Sequence, residues 1–330
     1  MISTSFSEEI SEYNLKEKIG FTQDCFTYAL FPTNSNPLSI RRASSDQIAR
    51  DLAIKYMELA PFSDKKKLKE IQNEIDLHKT LDHPHILPLL DSSKRGELTQ
   101  CNSRKIKSIY LVLPLHKNGD LFDLIQKCTH LSYKLSNAYL HQICSILTYL
   151  HEAKGIVHRD IKPENFLLDN AYNLKLIDFG LSASIPSSAL CPNKYAQFSV
   201  KVGTAFCMSP ELLHGLPYSG EAADVFATGV LLFQMICGKR PFVRAHYGDK
   251  FYKLIIQQNW KAFWQNHGRE YGSKASERET EFQKCFQEMV CYRSDQRISL
   301  QKMKQTKFYK GQVASQEQIW CEIRAKVYKD

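Results

Sequence analysis

One short run of the chain concentrates groups able to do chemistry: His158, Arg159, Asp160, Lys162 and Asn165, followed by Asp178, Phe179 and Gly180. Reduced to functional groups, these are two carboxylates, a lysine and an amide on two short segments. A carboxylate beside an acceptor hydroxyl and another beside a magnesium ion are what phosphoryl transfer requires. In that reaction the protein mainly positions groups and neutralises charge. The residues between the segments explain how both could be presented together. Phe166-Leu167-Leu168 and Leu174-Lys175-Leu176-Ile177 are apolar runs separated by the turn residues Asp169-Asn170, the pattern of a β-hairpin.

Positioning such groups needs a core, and 330 residues at 43% hydrophobic can bury a large one in one or two domains. The net charge of +9, from Lys+Arg 44 against Asp+Glu 35, is moderate and mixed in sign. Basic clusters at Lys65-Lys66-Lys67-Leu68-Lys69 and Arg104-Lys105-Ile106-Lys107 lack interleaved aromatics and read as solvated faces, so no nucleic-acid partner is expected. The 10 cysteines form no C-x-x-C pair and read as reduced thiols of a soluble cytoplasmic or nuclear protein. The N-terminus lacks a basic start and an apolar core. The longest clearly apolar stretch, Ala227 to Cys237, is too short for a bilayer, so no membrane span is expected.

In chain order, residues 1–12 read as a loose arm, and residues 13–30 as two strands around a turn at Gly20. Asn34 to Asp51 reads as an enlarged loop. It carries Arg41-Arg42-Ala43-Ser44, a basic run that makes Ser44 a candidate phosphorylation site. Leu52 to Met57 is a strand pattern containing Lys55, whose burial demands a counter-charge. The next helix, capped by Ser63 or Asp64 and carrying Leu68, Ile71 and Ile75 on its apolar face, is where that counter-charge is expected. Ile86 to Asp91 and Ile109 to Leu115 read as strands with a polar, basic insertion between them. Leu135 to Glu152 is helical, and Lys310 to Asp330 is a short amphipathic helix with Ile319, Ile323 and Val327. Trp260, Phe263 and Trp264 read as core.

His158-Arg159-Asp160 with Asn165, then Asp178-Phe179-Gly180, match H-R-D-L-x-x-x-N and D-F-G, and the chain resembles the eukaryotic protein kinase superfamily. Leu52-Ala53-Ile54-Lys55 resembles its V-A-I-K. Gly203 to Glu211 resembles G-T-x-x-Y-x-A-P-E, with Cys207 and Ser209 as departures. Gly20 to Thr27 departs further, keeping the first glycine of G-x-G-x-x-G-x-V but placing Thr22 and Cys25 at the other two. Lys162 points to the Ser/Thr branch. Asp-Phe-Gly-Leu-Ser and Pro-Glu-Asn look like the calcium/calmodulin-dependent kinase group. The implied fold is α+β and two-lobed, a small β-rich lobe with helix C and a larger α-helical lobe. The implied kinase domain covers 13–309, with lobes at about 13–113 and 117–309 and a helical tail at 310–330.

The resemblance implies ATP and Mg2+ as cofactors and assigns roles residue by residue. Asp160 orients the acceptor hydroxyl, Lys162 steadies the γ-phosphate, and Asn165 and Asp178 hold magnesium. Lys55, paired with Glu74, positions the α- and β-phosphates, and Gly20 lies in the loop over them. Thr27, Ala53 and Leu167 enclose the adenine, which the Pro114 carbonyl and the His116 N–H contact beside Leu113. Asp120 contacts the ribose or caps the following helix. Phe179 stacks with His158, with His78 at a position often apolar. Asp224 fixes the backbone of His158 and Arg159 or caps its helix, and Arg297 pairs with Glu211. Ser199 is a candidate phosphorylation site for an upstream activating kinase, its phosphate pairing with Arg159.

The implied activity is ATP-dependent transfer of phosphate to a Ser or Thr of a protein substrate. A pseudokinase scaffold or nucleotide sensor is the alternative, favoured by the reduced glycine loop and opposed by intact Lys55, Glu74, Asp160, Asn165 and Asp178. A small-molecule phosphotransferase is disfavoured by the Gly203 to Glu211 match. Glu164 is a candidate reader of arginine in the substrate, whereas Gln234 stands where basophilic kinases often carry a second glutamate. The sequence specifies neither substrate consensus nor oligomeric state.

Overall fold

A computed structural model describes residues 15–22, 25–30, 52–59, 64–99, 105–186 and 198–327. The expectations for residues 1–12, for the 34–51 loop with Ser44, and for the side chains of Gly20, Thr22, Cys25 and Thr27 lie outside what it describes. The chain divides into two compact units. One comprises residues up to Asp82 with Leu87–His116, and the other His83–Ile86 with Lys117 onward.

The first unit is an antiparallel sheet of β1 (Leu15–Thr22), β2 (Cys25–Leu30), β3 (Leu52–Glu58), β4 (Asp91–Thr99) and β5 (Lys105–Pro114), in the order β1-β2-β3-β5-β4. Helix α1 (Lys65–His78) packs on it. Strand β3 is buried on both faces because its alternate residues feed two cores. Leu52, Ile54 and Tyr56 join Leu98, Ile106, Tyr110 and Val112. Met57 joins Ile109 and Leu111 against Ile71 and Ile75 of α1. Of the two candidate caps, Asp64 is the one seen, its carboxylate accepting from the Lys66 N–H at 2.8 Å.

Two expectations need correction here. Gly20 is not at the turn: it pairs with Thr27 inside the β1–β2 ladder, which continues to Thr22↔Cys25 after a register shift between Lys18 and Gly20. Ile86 to Asp91 is not a strand either. Ile86 makes a lone parallel bridge to Leu176, and β4 begins at Asp91 and runs through the supposed insertion to Thr99. The cause is visible in β5, where exposed Lys105 and Lys107 alternate with buried Ile106 and Ser108. That is period-2 patterning inside a segment whose charge suggested a loop.

The second unit is mainly helical: α2 (Leu121–Cys128), α3 (Tyr133–Thr148), α4 (Pro210–Leu213), α5 (Gly220–Cys237), α6 (Lys250–Ile256), α7 (Trp260–Asn266), α8 (Glu277–Met289), α9 (Leu300–Met303), α10 (Lys307–Lys310) and α11 (Gln316–Val327). Two small ladders lie among them, β6 (Ile156–Val157) with β9 (Ala183–Ser184), and β7 (Phe166–Leu168) with β8 (Leu174–Leu176). Helix α5 is the spine. By length and composition it is long and apolar enough to cross a membrane, yet 83% of it is buried inside the unit. Phe233, in its C-terminal half, packs against Phe263, Trp264, Phe282 and Phe286. Burying each such ring contributes about 1.5–3 kcal/mol. Phe263 and Trp264 are thus core, as read, and Trp260 lies half-buried at their edge. Gly238 ends α5 at φ +68°, where a Cβ would meet the Thr129 carbonyl, so glycine is required. Helix α11 buries Ile319 and Ile323 and anchors Glu322 on the N-cap Ser132 of α3, accepting from its N–H at 2.8 Å and its hydroxyl at 2.5 Å.

Candidate active site

In the first unit, Lys55 lies half-buried in mid-β3, on the strand face it shares with Ala53 and Met57. Its Nζ meets Glu74 Oε2 at 2.6 Å, with the glutamate side chain only 2% exposed. The pairing implied by the resemblance is therefore present. Ala53 is buried and sits opposite Leu113 in the β3–β5 register, with Leu52 opposite Pro114. Pro114 ends β5, and His116 follows it half-buried. His78, on the last turn of α1, is 1% exposed with Nε2 2.5 Å from the Leu87 carbonyl. It thus fills a core position with a polar tie to the backbone.

The second unit brings Asp160, Lys162 and Asn165 together. The β7–β8 hairpin forms as expected, closed by Asp169, whose Oδ1 accepts from the Ala171 and Asn173 N–H groups at 2.9 and 2.8 Å. Just before β7, a 3₁₀ turn (Pro163–Asn165) places Asn165, whose Nδ2 donates to the Asp160 carbonyl at 2.8 Å and to Oδ2 at 3.1 Å. Lys162 Nζ lies 2.7 Å from the same Oδ2. Burial works against the lysine's charge, but the charge and hydrogen bond of Asp160, with Asp178 and Glu164, outweigh it and raise its pKa above the ordinary 10.5. The other oxygen of Asp160 belongs to Thr204, which donates its N–H at 2.9 Å and its hydroxyl at 2.8 Å to Oδ1. Lys162 also donates to that hydroxyl, at 2.9 Å. A carboxylate offers about four lone-pair sites, and these four donors fill them.

Thr204 was not singled out from sequence beyond its place in the Gly203 to Glu211 match. What brings it to Asp160 is Gly203, at φ +105°, where a Cβ would come within 2.6 Å of the Arg159 carbonyl. Only glycine permits this approach of two backbones. Strain also sits on the reactive segments themselves: Arg159 and Asp178 both have φ of 67°, in the region non-glycine residues avoid.

The strained loop is held from beneath by Asp224. The carboxylate was expected either to cap its helix or to fix His158 and Arg159. Ser219 is the N-cap of α5, and Asp224, inside the helix, accepts from the His158 N–H at 2.9 Å and the Arg159 N–H at 2.8 Å. His151 Nε2 adds a bond at 2.8 Å, delivered by a wide π-type turn (Tyr149–Ala153) that follows α3. Burial alone would raise the Asp224 pKa. The bond and charge of His151, and then those of His158, hold it below the ordinary 3.8. His151 was missed in the sequence, because nothing in a regular helical pattern marks a turn that will widen.

Phe179 and His158 form the expected ring contact, edge-on at 5.3 Å, and Phe179 is fully buried. Asp178 Oδ1 accepts from the Gly180 N–H at 3.3 Å, and the Ile177 N–H ties the segment to the Asn165 carbonyl at 3.0 Å. Asp120 does cap α2, accepting from the Asp123 N–H at 2.8 Å, and forms a bridge with half-buried Leu167. Its pKa is raised, mainly by burial. Arg297 forks onto Glu211 at 2.8 and 3.0 Å as expected. Ser199 is exposed, and its neighbour Phe198 lies under the Arg159 guanidinium at 5.2 Å. That guanidinium also donates from Nε to the Leu181 carbonyl at 2.7 Å and bonds Tyr218.

As a donor set, Asn165 and Asp178 fit magnesium. Both present hard oxygens, and the Asn165 amide is oriented through its nitrogen, which leaves the carbonyl oxygen as the ligand atom. Mg2+ commonly takes one or two protein oxygens and completes its shell from phosphates and water. Among the described residues no group of three His, Cys, Asp or Glu side chains suggests another metal centre.

Comparison with known proteins agrees with this geometry. Maternal embryonic leucine zipper kinase of Danio rerio is 38% identical over 191 residues, 58% of this chain and 26% of the relative. NUAK family SNF1-like kinase 1 of Homo sapiens is 32% identical over 203 residues, 62% of this chain and 28% of the relative. Serine/threonine-protein kinase GIN4 of Saccharomyces cerevisiae is 37% identical over 172 residues, 52% of this chain and 14% of the relative. The chain thus spans little more than a quarter, or less, of the length of these relatives. The family described as the protein kinase domain matches residues 39–309, a range that contains every group around Asp160, and the chain belongs to that family.

Proposed function

We propose that the protein transfers the γ-phosphate of ATP to a serine or threonine hydroxyl of a protein substrate. The observation that carries this reading is the Asp160 carboxylate, ordered by Lys162, Asn165 and Thr204 on a loop whose His158 and Arg159 N–H groups are held by Asp224. The Thr204 hydroxyl donates to Oδ1 and accepts from Lys162, so it stands where an acceptor hydroxyl would make the same two contacts. Substrate enters by taking over the Thr204 bond. Asp160 then orients the hydroxyl and draws its proton, while Lys162 keeps its positive charge beside the transferring group. Lys55 and Glu74 serve the α- and β-phosphates, with Gly20 over them. Thr27, Ala53, Pro114, His116, Asp120 and Leu167 take the nucleoside. Asn165 and Asp178 hold magnesium, which when bound neutralises phosphate charge. Serine or threonine as acceptor is supported by Lys162 and by the likeness to the yeast serine/threonine-protein kinase. The assignment of 13–309 as the catalytic domain, with the cytoplasm or nucleus as its location, follows the same reading.

Steady-state kinetics with Mg-ATP and a degenerate Ser/Thr peptide mixture tests it. Asp160→Asn keeps the shape but removes the base and sets an amide nitrogen against donors that a carboxylate oxygen accepted, so kcat falls by about 10²–10⁴ while nucleotide binding by calorimetry is retained. Wild-type protein that binds Mg-ATP yet leaves every peptide unmodified overturns transfer in favour of a non-catalytic nucleotide-binding role.

A further inference from the structure

The segment between α5 and the middle of α6 carries a charged and aromatic surface that the transfer chemistry does not use. Lys239, Arg240, Arg244, Lys250 and Lys253 are all exposed there. The single acid among them, Asp249, is consumed internally. Its Oδ2 accepts from the Val243 and Arg244 N–H groups at 2.9 and 3.3 Å, and its Oδ1 from those of Phe251 and Tyr252 at 2.9 and 3.0 Å. The helix start is thereby capped, and the side-chain cations are left without an acidic neighbour in this segment.

Three of these cations lie over aromatic rings instead. Lys253 sits 5.3 Å from the Tyr247 ring centre and Lys250 4.7 Å from that of Phe251. Alongside them, Val243 is 68% and Tyr247 58% exposed, a local density of open apolar surface. His246 stacks on His214 at 5.3 Å, which joins this loop to the turn after α4, where Leu216 is 54% exposed.

The patch is also continuous with the acceptor site. The Arg240 guanidinium lies 3.6 Å from the ring centre of Phe206, two residues after the Thr204 that contacts Asp160. A substrate placing its hydroxyl at Thr204 therefore has this surface along its path.

We propose that this face docks an acidic segment of the protein substrate bearing apolar anchors, separate in sequence from the phosphorylated residue. It rests on the transfer reading for its link to the acceptor site, but docking itself needs no phosphoryl transfer. Charge complementarity selects Asp- and Glu-rich chain, and the exposed Val243, Tyr247 and Leu216 select a polypeptide over a polyanion, which has no aliphatic groups to set against them.

Fluorescence anisotropy of the full chain measures this directly. The probes are a labelled twelve-residue Asp/Glu peptide with two leucines, the same peptide with leucines replaced by serine, a neutral peptide, and a single-stranded oligonucleotide of equal charge. The leucine-bearing acidic peptide binds best, its affinity falls as salt rises, and serine replacement weakens it several-fold. The variant Arg244→Glu with Lys253→Glu loses at least about tenfold in affinity, and Tyr247→Ala about threefold, with thermal unfolding unchanged. Both variants keep wild-type turnover on a short acceptor peptide lacking the acidic segment. Equal affinity of wild type and the double charge reversal for the acidic peptide overturns the proposal, as does tighter binding of the oligonucleotide. Docking that is intact in a protein inactive toward all peptides would instead fault the transfer reading alone.

Discussion

Two ion pairs in this chain join elements distant in sequence, and they are built differently. Lys55 reaches Glu74 as a point charge on a flexible stem, with its side chain 22% exposed. Arg297 forks onto both oxygens of Glu211 and also donates to the carbonyls of Ala222 and Cys291, its side chain fully buried and its guanidinium 5.0 Å from the Phe226 ring centre. A planar fork meeting several acceptors fixes geometry, whereas an ammonium adjusts its partners and distances readily. The first pair suits a group that must also serve a ligand. The second suits a permanent tie between α4, α5 and the segment before α9.

The largest effect comes from breaking the fork. Arg297→Met leaves Glu211 buried without its partner and costs about 3–5 kcal/mol, read as a large fall in unfolding temperature. Arg297→Lys, which keeps the charge but loses the fork, should recover little of it. If lysine restores full stability, charge alone matters and the contrast drawn above fails.

Acid should reveal the same tie with a smaller effect. Burial would raise the Glu211 pKa, but the charge and hydrogen bonds of Arg297 hold it below the ordinary 4.5, and Asp224 is held below 3.8. A carboxylate whose folded pKa is depressed stabilises the fold above its unfolded pKa, and that stability drains away as pH falls through the folded value. Unfolding temperature should therefore drop from about pH 4.5 downward, and less steeply in Arg297→Met, which has already lost the Glu211 part. Parallel acid profiles for the two proteins would remove Glu211 from the account.

The smallest stability effect belongs to the adjustable pair. Lys55→Met takes the ammonium from the buried Glu74 carboxylate and should cost about 2–3 kcal/mol, less than Arg297→Met because one charge-assisted hydrogen bond is lost rather than a fork, while activity falls far more. A stability loss equal to that of Arg297→Met would show that the two pairs do the same structural work.

How much of this was legible in the sequence follows from what each feature depends on. Asp160, Lys162 and Asn165 could be read because they rest on residue type at fixed spacing, and the Lys55–Glu74 and Arg297–Glu211 pairs because the family resemblance implied them. The β7–β8 hairpin could be read because Asp169-Asn170 interrupts two apolar runs. The positive φ of Arg159 could not, since arginine does not advertise it and the Asp224 carboxylate that holds its N–H lies far along the chain. The extent of β4 and β5 was hidden by charge, because lysines on an outward face alternate with a buried Ile106 and Ser108 without lowering the polarity of the run. Gly20 misled in the opposite direction, a glycine inside a ladder being read as its turn.

The wide turn at Tyr149–Ala153 bears on how this chain tolerates changes in length. Its two ends are fixed, by α3 before it and by the β6–β9 ladder after it, and His151 and Leu150 inside it are buried. A π-type turn holds one residue more than an α-helical turn between the same anchors. Removing a single residue there would return the helix to regular spacing without displacing either neighbour, but it would swing the remaining side chains by about 100° about the axis. The imidazole now on Asp224 would then face elsewhere, and Asp224 would keep two of its three hydrogen bonds, those from the His158 and Arg159 N–H groups. The extra residue is in effect an insertion stored as a bulge, whose cost is repaid by where it points His151.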